Sequence, residues 1–101
     1  ATATIPILGT SVTDYATALS IDDWTGATGT NISGTSDLAP IDEQAKMLLE
    51  MFPDVKQVGI LYCSAEANSK YQATLFANAL ADAGVACKEY SAADTNEIST
   101  V

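Results

Sequence analysis

Residues 58–69 read VGILYCSAEANS, an uninterrupted apolar run that changes abruptly into small polar side chains. A continuous apolar run is typical of a parallel strand that is covered on both faces. The polar cluster leads into a helical pattern over 66–83, which stops at Gly84, the residue type preferred just after a helix. This stretch therefore predicts one strand–helix unit of a parallel sheet. The apolar face of the predicted helix contains Ala73, Phe76, Ala77, Leu80 and Ala83.

The same alternation of strand and helix continues on both sides of this unit. Upstream, Pro40 suits the first turn of a helix whose apolar side chains recur every three or four residues until Pro53 ends it. Downstream, residues 85–90 predict another strand, and Asp94 begins a helix-start pattern. A short apolar strand is predicted over 4–9. The alternation indicates an α/β fold, a Rossmann-like three-layer sandwich with helices on both faces of a parallel sheet.

The stretch between the first predicted strand and Pro40 is rich in Thr, Ser, Gly and Asp and shows no helical or alternating period. We expect a connector that contains short elements at most. A connector of this length in a compact domain requires a functional or topological reason. Trp24 lies in the connector, and we interpret it as a packing anchor rather than as a stacking platform.

The charge of the chain excludes several classes of function. Thirteen acidic residues against four basic ones give a net charge of −9, which would repel nucleic acids and anionic membranes. The chain has no histidine, and its basic residues are all lysines. It therefore lacks the imidazole of common acid–base and zinc sites and the guanidinium group that binds phosphate. We expect no nucleic-acid partner, no metal and no cofactor.

Cys63 is a candidate nucleophile, because it follows a strand and precedes a helix N-terminus, where the pKa of a thiol is lowered. A phosphatase-type loop requires an arginine at the position of Ser69, and no histidine is available as a base. A catalytic role is therefore not expected, and the chain is not predicted to be an enzyme. Adjacent parallel strands would place Cys63 and Cys87 about 10 Å or more apart, so both thiols are expected to be free.

The polar cluster has two further interpretations. Ser64, Glu66, Asn68 and Ser69 follow the carboxyl end of a strand, where open α/β sheets bind ligands beside free helix N–H groups. Hydroxyl and N–H groups would hold a carboxylate, and Glu66 would pair with an ammonium group, an arrangement that suits a zwitterion. Alternatively, Ser64 is only the N-cap of the helix and the other side chains are solvated.

Thr13 and Asp14 follow the first predicted strand, in the equivalent position at a carboxyl end. They form a second candidate ligand-binding group by the same rule. The competing interpretation is that Asp14 caps a short helix that follows it.

No apolar run reaches the ~20 residues that span a bilayer, and the start of the chain lacks the basic segment of a signal peptide. The chain opens on strand-like residues and closes just after a helix-start signal, so we expect an excerpt of a longer protein. Cutting a sheet leaves unpaired strand edges and apolar helix faces. We therefore expect this chain to self-associate through exposed sheet edges.

Three ordered segments, IPILGTSVTDY, NISGTSDLAP and VGILYCSAEANS, resemble the ABC-transporter substrate-binding proteins of the type I periplasmic-binding fold. The resemblance is to the branch associated with tryptophan, tyrosine and similar ligands, in which the patterns are IPIVxTxVTDP, NVTGTSDLxP and VGxLYNPSEANS. It covers nearly all of residues 4–101. The chain departs from the pattern at Tyr15, where proline is common, and over 63–65, where Asn-Pro/Ser-Ser is usual. The missing asparagine at 63 leaves the identity of the ligand open.

The resemblance implies a fragment of a protein with two Rossmann-like lobes around a cleft. Residues 1–38 would form the end of the first lobe and the hinge crossing, and residues 39–101 the opening βα units of the second. The implied function is that of the extracytoplasmic solute-binding component of an ABC importer, periplasmic or lipid-anchored, which delivers an amino acid to a permease. The alternative is a small α/β structural or interaction module without a small-molecule ligand. The ligand-binding residues that the resemblance implies are Thr13, Asp14, Ser64, Glu66, Ala67, Asn68 and Ser69.

Overall fold

Four strands and three α-helices alternate along residues 3–101, the part of the chain that the structure, a computed structural model, describes. A 3₁₀ turn, Ile98–Thr100, follows the last strand. The chain divides between Ala39 and Pro40 into two compact units, each with a two-stranded parallel sheet. None of the described helices has the length and apolar character needed to cross a membrane. The elements in chain order are β1 (Ile7–Val12), α1 (Tyr15–Ala18), β2 (Ile32–Ser36), α2 (Ile41–Met51), β3 (Gln57–Cys63), α3 (Ala67–Asp82) and β4 (Ala86–Ala92).

The first unit is a parallel pair of strands with an irregular register. β1 pairs with β2, beginning with Ile7 opposite Ile32. After Gly9 the register shifts, so that two residues of β1 lie opposite one residue of β2, Thr35. This is a β-bulge, and Ser11 within it has a φ of 57°, in the left-handed region that is costly for a residue with a Cβ.

The sequence-based prediction of this first unit gives the wrong bounds for the first strand and leaves the second strand unassigned within a connector that was expected to contain short elements. The strand predicted over 4–9 begins at Ile7 and continues to Val12, since Pro6 has no N–H group to donate to a ladder. β2 lies inside the predicted connector and is missed, because its residues, ISGTS, contain one large apolar side chain and no alternation. Its strand conformation is therefore stabilised by main-chain pairing with β1 rather than by burial of its side chains.

The second unit is organised around α3. β3 and β4 pair in parallel along their whole length, so the predicted α/β arrangement is confirmed. α3 packs against both strands, and α2 packs against α3. The centre of the core is Leu80, which is fully enclosed, together with Ala45 and Val85. Half-buried apolar side chains complete this core: Leu48, Leu49, Val55, Val58, Phe76, Ala79 and Cys87.

α3 stops where the sequence predicts, at Gly84. This glycine has a φ of 81°, which a residue without a Cβ adopts at low cost. Its N–H donates to the Ala81 carbonyl (2.9 Å) and the Val85 N–H donates to the Leu80 carbonyl (2.9 Å), the two bonds of a Schellman motif. The enclosed part of the predicted apolar face ends at Leu80, because Ala83 at the C-terminus of the helix is exposed.

The signal at Asp94 produces a capped turn rather than an α-helix. Asp94 Oδ1 accepts a hydrogen bond from the Asn96 N–H (2.8 Å), and Glu97 Oε2 accepts one from the Ala93 N–H (2.7 Å). Only the 3₁₀ turn follows. Asp94 and Glu97 therefore accept hydrogen bonds from backbone N–H groups, as the helix-start pattern predicts, but no α-helix follows them.

One face of the β3–β4 sheet is left uncovered by residues 3–101. Leu61 on this face is 62% exposed, and the Tyr90 ring lies across Gly59, where a Cβ would be 3.3 Å from its Cε2. The Lys88 ammonium group lies 5.2 Å from the centroid of the same ring. The prediction that β3 is covered on both faces is therefore wrong for this chain, in which burial alternates along the strand.

The two thiols lie far apart along the strands, as predicted. Cys63 ends β3, whereas Cys87 lies opposite Val58 near the start of that strand, and both cysteines are free. Burial, with a contribution from the Glu89 carboxylate, raises the pKa of the Cys87 thiol. Cys87 is therefore a protonated core residue at neutral pH rather than a reactive thiolate.

Leu80→Ala should lower the free energy of unfolding by about 2–5 kcal/mol, because it removes a fully enclosed side chain and leaves a cavity. Asn78→Ala, at an exposed position of the same helix, should change it by less than about 0.5 kcal/mol. Urea unfolding followed by circular dichroism measures both changes. Similar losses in the two variants would show that α3 does not pack through Leu80.

The uncovered face and free strand edges lead us to expect self-association of this chain. β3 contains no charged residue, whereas β4 contains Lys88 and Glu89, so the free edge of β3 is less protected against pairing. Leu61→Lys should shift the chain toward monomer in light scattering at high concentration, because it places a charge beside that edge. Thr74→Lys, which adds the same charge at an exposed position of α3, should not. A clean monomer of the unaltered chain would contradict the expectation.

Candidate ligand-binding site

Thr13 and Asp14 lie directly after β1, at the carboxyl end of the first sheet. Asp14 Oδ2 accepts two hydrogen bonds, from the Thr17 N–H (2.9 Å) and from the Thr17 hydroxyl (2.7 Å). The interpretation of Asp14 as the cap of a short helix is therefore confirmed. Asp14 Oδ1 accepts no hydrogen bond from residues 3–101, so one carboxylate oxygen is still available to a ligand.

The carboxyl end of β2 lies beside Thr13. Ser36 Oγ donates to the Thr13 carbonyl (3.0 Å), and the Asp37 N–H donates to the Val12 carbonyl (2.8 Å). The sequence prediction omits Ser36 and Asp37, because it assigns both to the connector. A sequence pattern that revealed β2 would have identified both residues as candidates, because paired parallel strands bring their carboxyl ends to one edge of a sheet.

The first turn of α3 has no side-chain cap. Its N-cap residue is Glu66, whose carboxylate accepts no hydrogen bond from the helix N–H groups. The interpretation of Ser64 as the N-cap is wrong: its N–H donates to the Ala92 carbonyl (3.0 Å), which extends the ladder past β3, so the helix begins only at Ala67. Uncapped N–H groups at the start of a long helix carry partial positive charge and attract anions.

Asn68, in this first turn, contains a polar atom without a partner. Its Oδ1 is enclosed by protein and accepts no hydrogen bond from the described part of the chain. A buried amide oxygen that lacks a donor costs roughly 1–3 kcal/mol. Such groups are uncommon in folded proteins and require a reason, of which a ligand or bound water is one. The same turn therefore offers donors and an acceptor that residues 3–101 do not use.

Glu66 and Ser69 approach each other across the turn. Ser69 Oγ donates to Glu66 Oε2 at 3.4 Å, a long and therefore weak bond. Glu66 is exposed and Ser69 is half-buried, while Ser64 and Ala67 are exposed. The predicted residues of the second unit thus form one contiguous turn with an accessible carboxylate and hydroxyl groups.

A cavity of about 410 Å³ lies within the second unit, at the carboxyl end of β3. Ser69 and Cys63 line it together with Gln44, Gln72 and Phe76, and the other predicted residues of the turn do not. The two glutamine amides were not predicted, because a polar residue on a helix gives no distinguishing signal in the sequence. They enlarge the set of polar groups near the start of α3.

Another cavity, of about 500 Å³, lies within the first unit. Its lining includes Tyr15, Trp24, the loop 26–30 and residues of β2, but neither Thr13 nor Asp14. Trp24 is 42% exposed, so more than half of its surface is covered, and its interpretation as a packing anchor stays a prediction. This cavity and the Thr13–Asp14 turn are therefore separate features of the first unit.

The chemistry of the candidate residues suits binding by hydrogen bonds. Among residues 3–101, no three His, Cys, Asp or Glu side chains lie together as they would around a metal ion. Cys63 Sγ contacts the Ala93 carbonyl (3.6 Å), and the chain contains no histidine to act as its base. A carboxylate, hydroxyl groups, an amide oxygen and helix N–H groups can together hold a small zwitterion.

The chain matches a protein-family model and is similar in sequence and structure to known substrate-binding proteins. The sequence model of the family described as "ABC transporter substrate binding protein" matches residues 1–101. A tyrosine-binding protein of Clostridioides difficile (strain R20291) is 39% identical over 72 residues, which are 71% of this chain and 21% of that protein. The ligand-free, open structure of CD0873, a substrate-binding protein with adhesive properties from Clostridium difficile, is 33% identical with a TM-score of 0.57, over 98% of this chain and 33% of that one.

Two further solved structures are more similar in shape. An ABC domain from Streptococcus pneumonia in complex with L-Trp has a TM-score of 0.88 at 32% identity, over 98% of this chain and 34% of that one. A conserved domain protein from Vibrio cholerae has a TM-score of 0.86 at 31% identity, over 98% of this chain and 33% of that one.

The chain spans about a third of these solved structures, which are two-lobed periplasmic-binding domains, and about a fifth of the tyrosine-binding protein. The resemblance found in the three sequence segments is confirmed by the family match. Together with the parallel α/β architecture, these matches show that the chain belongs to the ABC transporter substrate-binding protein family.

Proposed function

We propose that this chain contributes ligand-binding residues to an extracytoplasmic solute-binding protein of an ABC importer, and that the solute is an amino acid, with aromatic ones as first candidates. The observation that carries the proposal is the first turn of α3, where uncapped N–H groups adjoin the unpartnered Asn68 Oδ1. The relatives support the ligand class, since one is a tyrosine-binding protein and one structure contains L-Trp.

In this proposal the amino acid is held through its two charged groups. Its carboxylate accepts hydrogen bonds from the N–H groups of Asn68 and Ser69, where the helix dipole favours an anion. Its ammonium group donates to the Glu66 carboxylate and, once the Asn68 side chain rotates out of its enclosed position, to Asn68 Oδ1. Ser64 adds a hydroxyl group at the edge of the turn, and the small side chain of Ala67 lets the ligand approach the backbone.

Thr13 and Asp14 are the proposed contribution of the first unit. Asp14 Oδ1 and the Thr13 hydroxyl can accept or donate hydrogen bonds without breaking the cap of α1. In the full-length protein, residues 1–38 would belong to the end of the first lobe and the hinge crossing, and residues 39–101 to the opening of the second lobe.

Capture and release of the solute require no chemical step, so the proposed protein is a carrier rather than an enzyme. Outside the cytoplasm, in a periplasm or on a lipid anchor, it would deliver the amino acid to a permease. A structural or interaction module without a ligand is the less supported alternative. The family match extends over residues 1–101, and a module would contain the unpaired Asn68 Oδ1 without any use for it.

For the full-length protein, at least one amino acid should raise the melting temperature, since a ligand at about 100 times its Kd stabilises the folded state by about 2.7 kcal/mol. Glu66→Ala should weaken binding of that amino acid about tenfold, because it removes the partner of the ammonium group. Glu50→Ala, which removes an exposed carboxylate of α2, should leave the Kd unchanged. If no amino acid stabilises the protein and Glu66→Ala has no effect, the ligand assignment is wrong.

Asn68→Leu distinguishes the effect of Asn68 on folding stability from its effect on ligand affinity. It should stabilise the unliganded protein by about 1 kcal/mol, since an apolar group replaces an unpaired buried oxygen. The same change should weaken amino-acid binding about tenfold or more, because the acceptor is lost. Denaturant unfolding and titration calorimetry measure the two effects, with Asn78→Leu as the exposed control on the same helix. Lower unliganded stability with unchanged affinity would show that Asn68 serves the fold alone.

A further inference from the structure

Tyr15 connects the two strands of the first unit, directly after the Thr13–Asp14 turn. It is the first residue of α1 and is only 9% exposed. Its hydroxyl donates to the carbonyl of Thr35 in β2 (3.0 Å). The side chain therefore extends from the start of α1 across to the neighbouring strand.

Two glycines provide the space for the Tyr15 ring. A Cβ on Gly9 of β1 would lie 2.5 Å from the Tyr15 hydroxyl oxygen and 3.1 Å from Cε1. A Cβ on Gly34 of β2, opposite Gly9 in the ladder, would collide with the same hydroxyl and with the Gly9 carbonyl. Neither glycine has a positive φ, so these positions require the absence of a side chain rather than an unusual backbone conformation.

The hydroxyl of Tyr15 forms its hydrogen bond at the β-bulge. Thr35 is the β2 residue opposite both Thr10 and Ser11, and a bulge interrupts the ladder at such a point. The positive φ of Ser11 is a conformation that persists only when its surroundings hold it. The Tyr15 hydroxyl supplies a donor to the carbonyl at this interruption, so it fixes the backbone where β1 turns toward Thr13.

We propose that Tyr15 is a positioning residue: by clamping the bulge of β1 against β2, it holds the Thr13–Asp14 turn in its ligand-binding conformation. This inference rests on the proposed function of Thr13 and Asp14. Without the clamp, the turn would have to become ordered when the ligand binds, and the lost conformational freedom would reduce the affinity.

Titration of the full-length protein with L-tyrosine and L-tryptophan tests the clamp. Tyr15→Ala should weaken binding roughly tenfold, and Tyr15→Phe, which keeps the ring and loses the hydroxyl, should weaken it less. Leu80→Ala is the stability control, because it destabilises the core of the second unit yet should leave the Kd unchanged. Equal affinity of Tyr15→Ala and the unaltered protein would overturn the proposal.

Gly9→Ala provides a rescue experiment. Its added methyl group should displace the ring and weaken binding, but in a Tyr15→Ala background the methyl group has room and should cost no further affinity. Gly34→Ala is the matched control, since its Cβ also collides with the Gly9 carbonyl and should remain harmful after Tyr15→Ala. Additive losses from Gly9→Ala and Tyr15→Ala would show that the glycine does not act through the ring.

If no amino acid binds, the proposed function fails, and the positioning role of Tyr15 is then tested on the unliganded protein. The Thr17 N–H donates to Asp14 Oδ2, so its NMR signal reports the conformation of the turn. Tyr15→Ala and Gly9→Ala should each shift this signal, with no further shift in the double variant, whereas Leu80→Ala should not. An unshifted Thr17 signal in Tyr15→Ala would overturn the proposal without any ligand.

Discussion

Parallel pairing of the strands determines where the candidate ligand-binding residues lie. Two strands that run in the same direction bring their carboxyl ends, and the residues that follow, to one edge of the sheet. In the first unit this pairing places Ser36 beside Thr13. In the second unit, α3 connects β3 to its parallel neighbour β4 and must therefore begin at that edge, which exposes the N–H groups of its first turn there.

Both units leave polar or strained groups where the candidate residues lie. Asn68 Oδ1 is enclosed without a donor, α3 begins without a side-chain cap, and Ser11 has a positive φ beside the Thr13–Asp14 turn. Each feature lowers the stability of the folded chain, and each is compensated elsewhere, by the enclosed Leu80 core and by the hydrogen bond from Tyr15 to β2. A ligand that hydrogen-bonds to Asn68 Oδ1 and to the uncapped N–H groups of α3 would form interactions that the unliganded chain lacks, and their free energy would contribute to binding.

The sequence predicts the second unit well because its signals are local. The apolar run of β3, the stripe that ends at Leu80 and the stop at Gly84 each depend on a few neighbouring residues. β2 is different, since its strand conformation depends on main-chain bonds to a distant segment and leaves no side-chain pattern. The carboxyl-end rule located the candidate turns, but the cap at Asp14, the ladder bond of Ser64 and the missing partner of Asn68 depend on three-dimensional neighbours that no local pattern encodes.

The central claim is that the first turn of α3 holds the charged groups of an amino acid. A crystal structure of the full-length protein grown with L-tryptophan or L-tyrosine tests this claim most directly. We expect the ligand carboxylate at about 3 Å from the N–H groups of Asn68 and Ser69, and a ligand donor on Asn68 Oδ1. An amino acid bound elsewhere, with that oxygen still unpaired, would contradict it.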